Sequence, residues 1–363
     1  MITSKPRLPI REIIFPGLLP SPLKKLVYRL RGYRLGRKVS FGLGSVVSGS
    51  DVEIGDGVQV GFLSIVRGKR IRLGPHVQIG AMSFLDTPVM EIGEGTKINE
   101  QVFIGGMQFP DSSIIIGRNC QIMQMCFINP TRSIRIGDDT GIGGDCLLFG
   151  HTSWLSQFEG YPVDFDSIEI GRSVSIAWRV FLLPGAKIGD GAVIGANSLV
   201  RGTIPDRCLA VGFPARVVSK APEFPRELTG AEKETILGQI VEEMITFFRG
   251  SGLTCIQDSG IWRISEVSRS WGLKRTRTWS LSVETTSTQP TESAAAGARV
   301  DVLLSLAHLP RSRRRHLDTQ ATTWIDIEKK ERSVHGSPLG EEVVMYLRRH
   351  GVRFLRDYPP TTV

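Results

Sequence analysis

An all-β solenoid of about eight three-sided coils, with a helix in front and a small α+β domain behind, is the fold this sequence predicts. Three observations predict it. Ile170, Ile176, Leu182, Ile188, Ile194 and Val200 stand at a constant six-residue step. That step matches neither the period of about 3.6 of an amphipathic helix nor the period of about 2 of a half-buried strand, so it belongs to a larger unit. The same ladder continues upstream in threes with small slips, from Leu35, Phe41 and Val47, through Ile92, Ile98 and Ile104, to Ile136, Ile142 and Leu148. Finally, the 40 glycines among 363 residues recur after ladder positions instead of clustering, as regularly spaced turns require.

Residues 1–32 read as a basic arm and capping helix. Lys5, Arg7, Arg11, Lys24, Lys25, Arg29, Arg31, Arg34, Arg37 and Lys38 face the single acid Glu12 within the first fifty positions, which accounts for the whole net charge of +9. The stretch SPLKKLVYRLRG predicts a short helix with Ser21 as cap, Pro22 in the first turn, and Leu23, Leu26, Val27 and Leu30 on one face. Two roles fit it. One is a cover over the open end of the solenoid; the other is contact with an anionic membrane through the basic face.

Residues 33–220 form the solenoid. Three six-residue sides make a triangular coil, and at about 4.8 Å per coil eight coils give a column roughly 38 Å tall. Ladder residues point inward. Gly55, Gly93, Gly117, Asn119, Gly137, Asp138, Gly189, Gly195 and Asn197 fall near corners and are expected to supply positive φ. Cys120, Cys126 and Cys146 fall in the phase of small core fillers and are expected as buried thiols. His76 is expected at the surface. The ladder breaks twice, at GGMQFPDSSI between Ile104 and Ile116 and at FGHTSWLSQFEGYPVDFDS between Leu148 and Ile170. A loop ejected from a rigid column is a natural mount for function.

Residues 221–250 predict a linker helix opened by the capping box TGAE, with Ile236, Ile240, Val241, Met244 and Phe248 on its apolar face. Residues 251–363 predict the α+β domain: strands at IWRISEV, RVDVLLSLAHL and TTWIDIE, and a helix at GEEVVMYLRRHG ending at Gly351. The run RSRRR at 311–315 reads as a solvated turn.

No stretch approaches the roughly 20 apolar residues of a membrane span, and no signal-peptide pattern opens the chain, so a cytoplasmic location, with contact at the inner membrane face as an extension, is expected. Five sparse cysteines argue for reduced thiols. A zinc site of three histidines is excluded by having only His76 and His151 in the solenoid, and no metal is expected. The basic run lacks interleaved aromatics, which argues against nucleic acid.

His151 stands at the root of the longer break, where a stiff strand end would hold an imidazole suited to general-base work near neutral pH. Asn129 and Asp145 either orient that ring or the acceptor, or serve as polar corner residues. Trp154 and Tyr161 either offer a platform to a sugar ring or anchor the loop.

The segment IEIGRSVSIAWRVFLLPGAKIGDGAVIGANSLVRGTIPDRCLAVGFPARVV, residues 168–218, resembles the closing coils of the hexapeptide-repeat acyltransferases, in the branch of maltose, galactoside and xenobiotic O-acetyltransferases. The resemblance implies a left-handed parallel β-helix, a homotrimer with active sites between neighbouring prisms, and acetyl-CoA as acyl donor. It implies a catalytic role for His151 and an oxyanion donor in the N–H of Trp178. Gly195 and Ala196 would line the pantetheine arm with exposed amides, Arg216 would face the nucleotide phosphates, and Arg201 would supply the charge of a lysine the family carries there. The family often has Trp where this chain has Ser175, so the pocket around Trp178 differs. The reaction implied is O-acetylation of a sugar or glycolipid hydroxyl in surface-polysaccharide biosynthesis, with an acyl-carrier-protein donor or a non-catalytic scaffold as alternatives.

Overall fold

The computed structural model describes residues 9–152, 155–270, 273–286 and 300–356, and separates into two compact units, Met1–Glu227 and Leu228–Val363. The first unit is a three-sided, left-handed parallel β-helix. Among the described residues, its first face stacks nine strands from Arg34–Leu35 to Thr203–Ile204. Its second face has ten, beginning at Ser40–Phe41 and closing with the antiparallel pair Cys208–Gly212 and Ala215–Lys220. Its third face has eight, from Val46–Ser48 to Leu199–Val200.

The six-residue ladder is this column's core. Ile92 pairs with Ile116, Ile98 with Ile122 and Ile104 with Ile128, one pair per face, all in parallel register and all buried. Each inward side chain therefore stacks on its counterpart in the next coil. Cys120, Cys126 and Cys146 are buried and unbridged, and burial pushes the Cys120 thiol up to about 11.

The corners work differently from the expectation. Gly117 does not have positive φ; a Cβ there would lie 2.6 Å from the backbone nitrogen of Asp138 in the next coil. The left-handed residue comes two places later, at Asn119, with φ 57°. Glycine after the ladder residue thus permits close stacking of corners, while the bend itself falls to Asn119, Asp139, Ser173 and even His76. His76 is half-buried over Gly57, not fully at the surface.

The N-terminal helix, Ser21–Leu30, covers the first coil, but with the face opposite to the one its leucines suggested. Lys24 and Tyr28 are fully buried, whereas Leu23, Leu26 and Leu30 are 49, 56 and 79% exposed. The reason is that the end of a β-helix exposes unpaired backbone groups as well as apolar rungs. The Lys24 ammonium donates to the carbonyl oxygens of Gly42 (2.5 Å) and Ser45 (3.0 Å). The Tyr28 hydroxyl accepts from the Val47 N–H at 2.9 Å. Ser21 does not cap its own helix; its hydroxyl accepts from the Phe41 N–H at 3.0 Å. The helix Ile10–Ile14 lies against strand Val46–Ser48, and the Gly44 N–H donates to the Gly17 carbonyl at 2.8 Å.

In the second unit, the helix Gly230–Gly250 opens with the expected capping box of Thr229 and Glu232. It is no linker: Leu237, Val241, Met244, Ile245 and Phe248 pack into one core with Trp262, Ile264, Leu281 and Val344. Leu237 and Ile245 join that face, Ile240 packs partly buried against the core as expected, and Ile236 alone of the expected residues is exposed. A seven-stranded sheet carries the predicted strands, and the helix Pro338–Arg349 precedes Gly351, φ 77°. The RSRRR run is not a solvated turn. It begins the helix Arg311–Thr319, the crossover between the parallel strands Val302–Ser305 and Thr323–Asp326. Arg314 is buried there, 2.8 Å from Asp326.

Burial pulls the Lys24 amine down to about 8 from its ordinary 10.5. Between those values the unfolded chain binds the extra proton, so this residue makes stability rise with pH across that window. Denaturant unfolding of the prism at pH 8 and pH 10 is expected to show that rise, and Lys24→Met is expected to flatten it. At pH 7 the same variant should lose about 1–3 kcal/mol, because two end carbonyls lose their donor.

Candidate active site

The third face ends at a corner from which both breaks of the ladder emerge. Strand Leu147–Phe149 leads into Gly150, whose N–H donates to the Asn129 carbonyl of the coil below at 2.9 Å. A Cβ on Gly150 would sit 2.9 Å from the Arg132 nitrogen, so the chain leaves the column by a passage that only glycine fits without displacement. His151–Thr152 then pairs antiparallel with Asp164–Phe165, placing His151 opposite Phe165. This two-stranded ribbon fixes the stem of the long loop.

The His151 imidazole stacks on the Phe165 ring, centroids 5.8 Å apart and planes at 16°, with Phe149 6.4 Å away. Phe165 meets Phe109 of the shorter break edge-on at 5.5 Å, and the Arg132 guanidinium lies 4.7 Å over Phe109 while pairing with Asp111 at 2.8 Å. The two breaks thus form one aromatic wall. Desolvation in it lowers the His151 pKa below the ordinary 6.5. Its Nδ1 is buried and meets no hydrogen-bond partner among the described residues. The ring is accordingly neutral at neutral pH, the state a base requires.

The corner between the second and third faces carries the other group of expected residues. Trp178 sits there, 47% exposed, with its indole over Gly144, where a Cβ would come within 2.4 Å of the ring. The Asn197 N–H of the next coil donates to the Trp178 carbonyl at 3.1 Å, which places Gly195 and Ala196 directly beyond it. The Gly195 amide is not exposed as expected: it donates to the Ala210 carbonyl at 2.9 Å. Among the described residues, the N–H groups of Trp178 and Ala196 donate to no protein acceptor.

His151 and Trp178 lie at opposite ends of the third face, about 20 Å apart at ~3.3 Å per residue. Arg201 follows Leu199–Val200 and so shares the His151 corner, two coils on. Arg216 is exposed on the closing hairpin, paired with Val211. Asn129 and Asp145 do not reach the imidazole. The buried Asn129 oxygen accepts from the Thr131 hydroxyl at 2.6 Å, and Asp145 pairs with Arg179 at 3.1 Å. Tyr161 is exposed in the loop, and Trp154 lies outside the described residues. Among the described residues no cluster of three or more His, Cys, Asp or Glu is arranged to hold a metal ion.

Between the two corners runs a feature the ladder concealed. On the third face the residue before each rung points outward, and from Phe84 onward it reads Phe84, Phe103, Phe127, Leu147, Phe181 and Leu199. Phe84, Phe103 and Phe127 stack at 5.2 and 4.9 Å, and Phe149 continues the pile at 5.4 Å. The corresponding row on the first face is charged apart from Ile115 and Thr203 (Arg34, Glu53, Arg72, Glu91, Arg135, Glu169, Lys187), and on the second it is polar up to Ser175 apart from Gly141 (Ser40, Gln59, Gln78, Lys97, Gln121, Ser175) and then apolar at Val193 and Leu209.

The chain is 34% identical over 119 residues to the putative lipopolysaccharide biosynthesis O-acetyl transferase WbbJ of Escherichia coli, covering 30% of this chain and 60% of that one. It is 33% identical over 117 residues to the galactoside O-acetyltransferase of the same organism, 30% and 54% covered. The chain resembles the hexapeptide-repeat acetyltransferases. It spans between half and six-tenths of the length of these curated relatives. A solved structure, the polySia specific acetyltransferase NeuO, aligns over 52% of this chain and 80% of its own at 21% identity and a TM-score of 0.32. No family model matches the chain.

The aromatic wall makes the histidine titration a direct readout. NMR titration of His151 should give a pKa below 6.5, and Phe165→Ala, by admitting water to the ring, should raise it toward that value.

Proposed function

We propose that the prism is an O-acetyltransferase that moves an acetyl group from acetyl-CoA to a sugar or glycolipid hydroxyl, in a homotrimer whose sites form between prisms. The observation that carries this reading is the His151 imidazole stacked on Phe165, with Nδ1 buried in the aromatic wall, at the edge of the outer face that carries the stacked phenylalanines. A row of half-buried, stacked phenylalanines that still presents apolar edges to water suits contact with a second copy. Because His151 and the unpaired Trp178 amide end opposite edges of that face, they serve one reaction only if they come from neighbouring prisms. The names of the relatives, one in lipopolysaccharide biosynthesis and one acting on galactosides, support a carbohydrate acceptor.

In this arrangement His151, with Nδ1 turned into the wall, uses Nε2 to take the proton of the acceptor hydroxyl as its oxygen attacks the thioester carbonyl. The Trp178 N–H of the adjoining copy donates to the carbonyl oxygen as negative charge develops there. As the C–S bond breaks, the imidazolium returns the proton to the departing thiolate, leaving an acetyl ester and a free thiol. Ala196, with its amide unspent, and Arg201 and Arg216 provide donors and positive charge for the pantetheine arm and phosphates. No step requires a metal from this residue set.

Acetyl transfer from acetyl-CoA should be screened across nucleotide sugars, lipid-linked sugars and simple glycosides. His151→Ala is expected to lower kcat on the best acceptor by about 10²–10⁴-fold with little change in acetyl-CoA affinity; undiminished turnover would remove His151 from the mechanism. Phe103→Glu should reduce the mass seen in light scattering to that of one chain, and activity should fall with it.

A further inference from the structure

We propose that the N-terminal end of the prism docks on an anionic lipid bilayer, with Leu23, Leu26 and Leu30 entering the interface and Lys25, Arg29, Arg31 and Arg11 meeting the headgroups. The first observation is the inverted cap. Lys24 and Tyr28 hold the helix to the first coil through buried hydrogen bonds, so its leucine face is fixed outward. Turning over to hide the leucines would break those bonds and bury nothing polar in their place. The preceding segment adds Ile10, Ile14, Phe15 and Leu18, all more than half exposed, and is itself tied to the prism through Gly17. Isolated exposed leucines are ordinary; seven large apolar side chains within twenty-one residues at one end of a rigid column are not.

The second observation is charge, and it selects the occupant. Arg34 pairs with Glu53 at 2.7 Å and Arg37 with Asp56 at 3.2 Å, so these bases are already neutralised by the second coil. Among the described residues, Arg11, Lys25, Arg29 and Arg31 have no ion-pair partner, and Glu12 is the single acid of the segment. At about 100° per residue, Lys25 and Arg29 border one edge of the leucine stripe. An apolar stripe edged by cations matches a bilayer surface carrying negative headgroups. A second copy of the same end would set like charges against each other. Lipid docking here requires nothing of His151 or of acyl transfer.

Flotation of the full chain with vesicles tests it. Phosphatidylcholine vesicles containing phosphatidylglycerol are expected to carry the protein, and pure phosphatidylcholine vesicles to carry at least tenfold less. Raising the salt from about 0.1 to about 1 M, which shortens the screening length from about 10 to about 3 Å, should release most of it. The variant L23S/L26S/L30S should bind anionic vesicles at least tenfold more weakly while keeping its thermal midpoint. If the native chain ignores anionic vesicles, or the triple variant binds them equally well, the proposal fails. It also fails if the native chain ignores vesicles and the triple variant only reduces the assembly mass, which would make this end a contact between copies.

Discussion

Every part of the prism depends on one constraint, that the inward side chain of each strand rests on the same position one coil away. Parallel strands in register place Ile98 over Ile79 and under Ile122, and each such burial stabilises by about 1.5–3 kcal/mol. The constraint is strict because a slip of one residue would turn an aliphatic side chain outward and a polar one into the column. It also fixes the corners, which must come close enough to stack. That is why Gly117 abuts the Asp138 backbone and why residues as unlike as Asn119, His76 and Ser173 accept left-handed backbone angles.

A column so regular inside is free to differ outside. Its three faces carry mainly charged, mainly polar and aromatic rows, and His151 and Trp178 stand at the edges of the aromatic one. The ladder breaks where that face meets the first, and both ejected loops return to cover the same spot: Phe109 from one and Phe165 from the other enclose the ground below His151. Desolvation of the imidazole is then a product of loop packing, and the side chains of Asp145 and Asn129 are committed elsewhere, to Arg179 and Thr131.

The inward pattern was legible from spacing because burial imposes one residue class at a fixed step. The long break and His151 were legible for the same reason, as departures from the step. Polar partners were not: Asp145 finds Arg179 and the Gly195 amide finds the Ala210 carbonyl in the next coil, while Asn129 turns back on Thr131. Phe84, Phe103 and Phe127 could have been found by reading one place before each rung of the third face. The orientation of the first helix could not be read from its leucines, since the surface it covers presents bare carbonyl and amide groups that Lys24 and Tyr28 satisfy better. Helix Gly230–Gly250 misled in a simpler way: an apolar face shows that a helix packs, not against what.

The buried ammonium of Lys24 has a consequence for the column as a material. A parallel β-helix is an open-ended template, since its terminal coil offers the same hydrogen-bonding edge that the next coil would use. With the Gly42 and Ser45 carbonyls taken by Lys24, and the Val47 and Phe41 amides taken by Tyr28 and Ser21, that edge is occupied on the second and third faces. A fold built from the geometry of a fibre thus has two of its three terminal strands withheld from further pairing at this end.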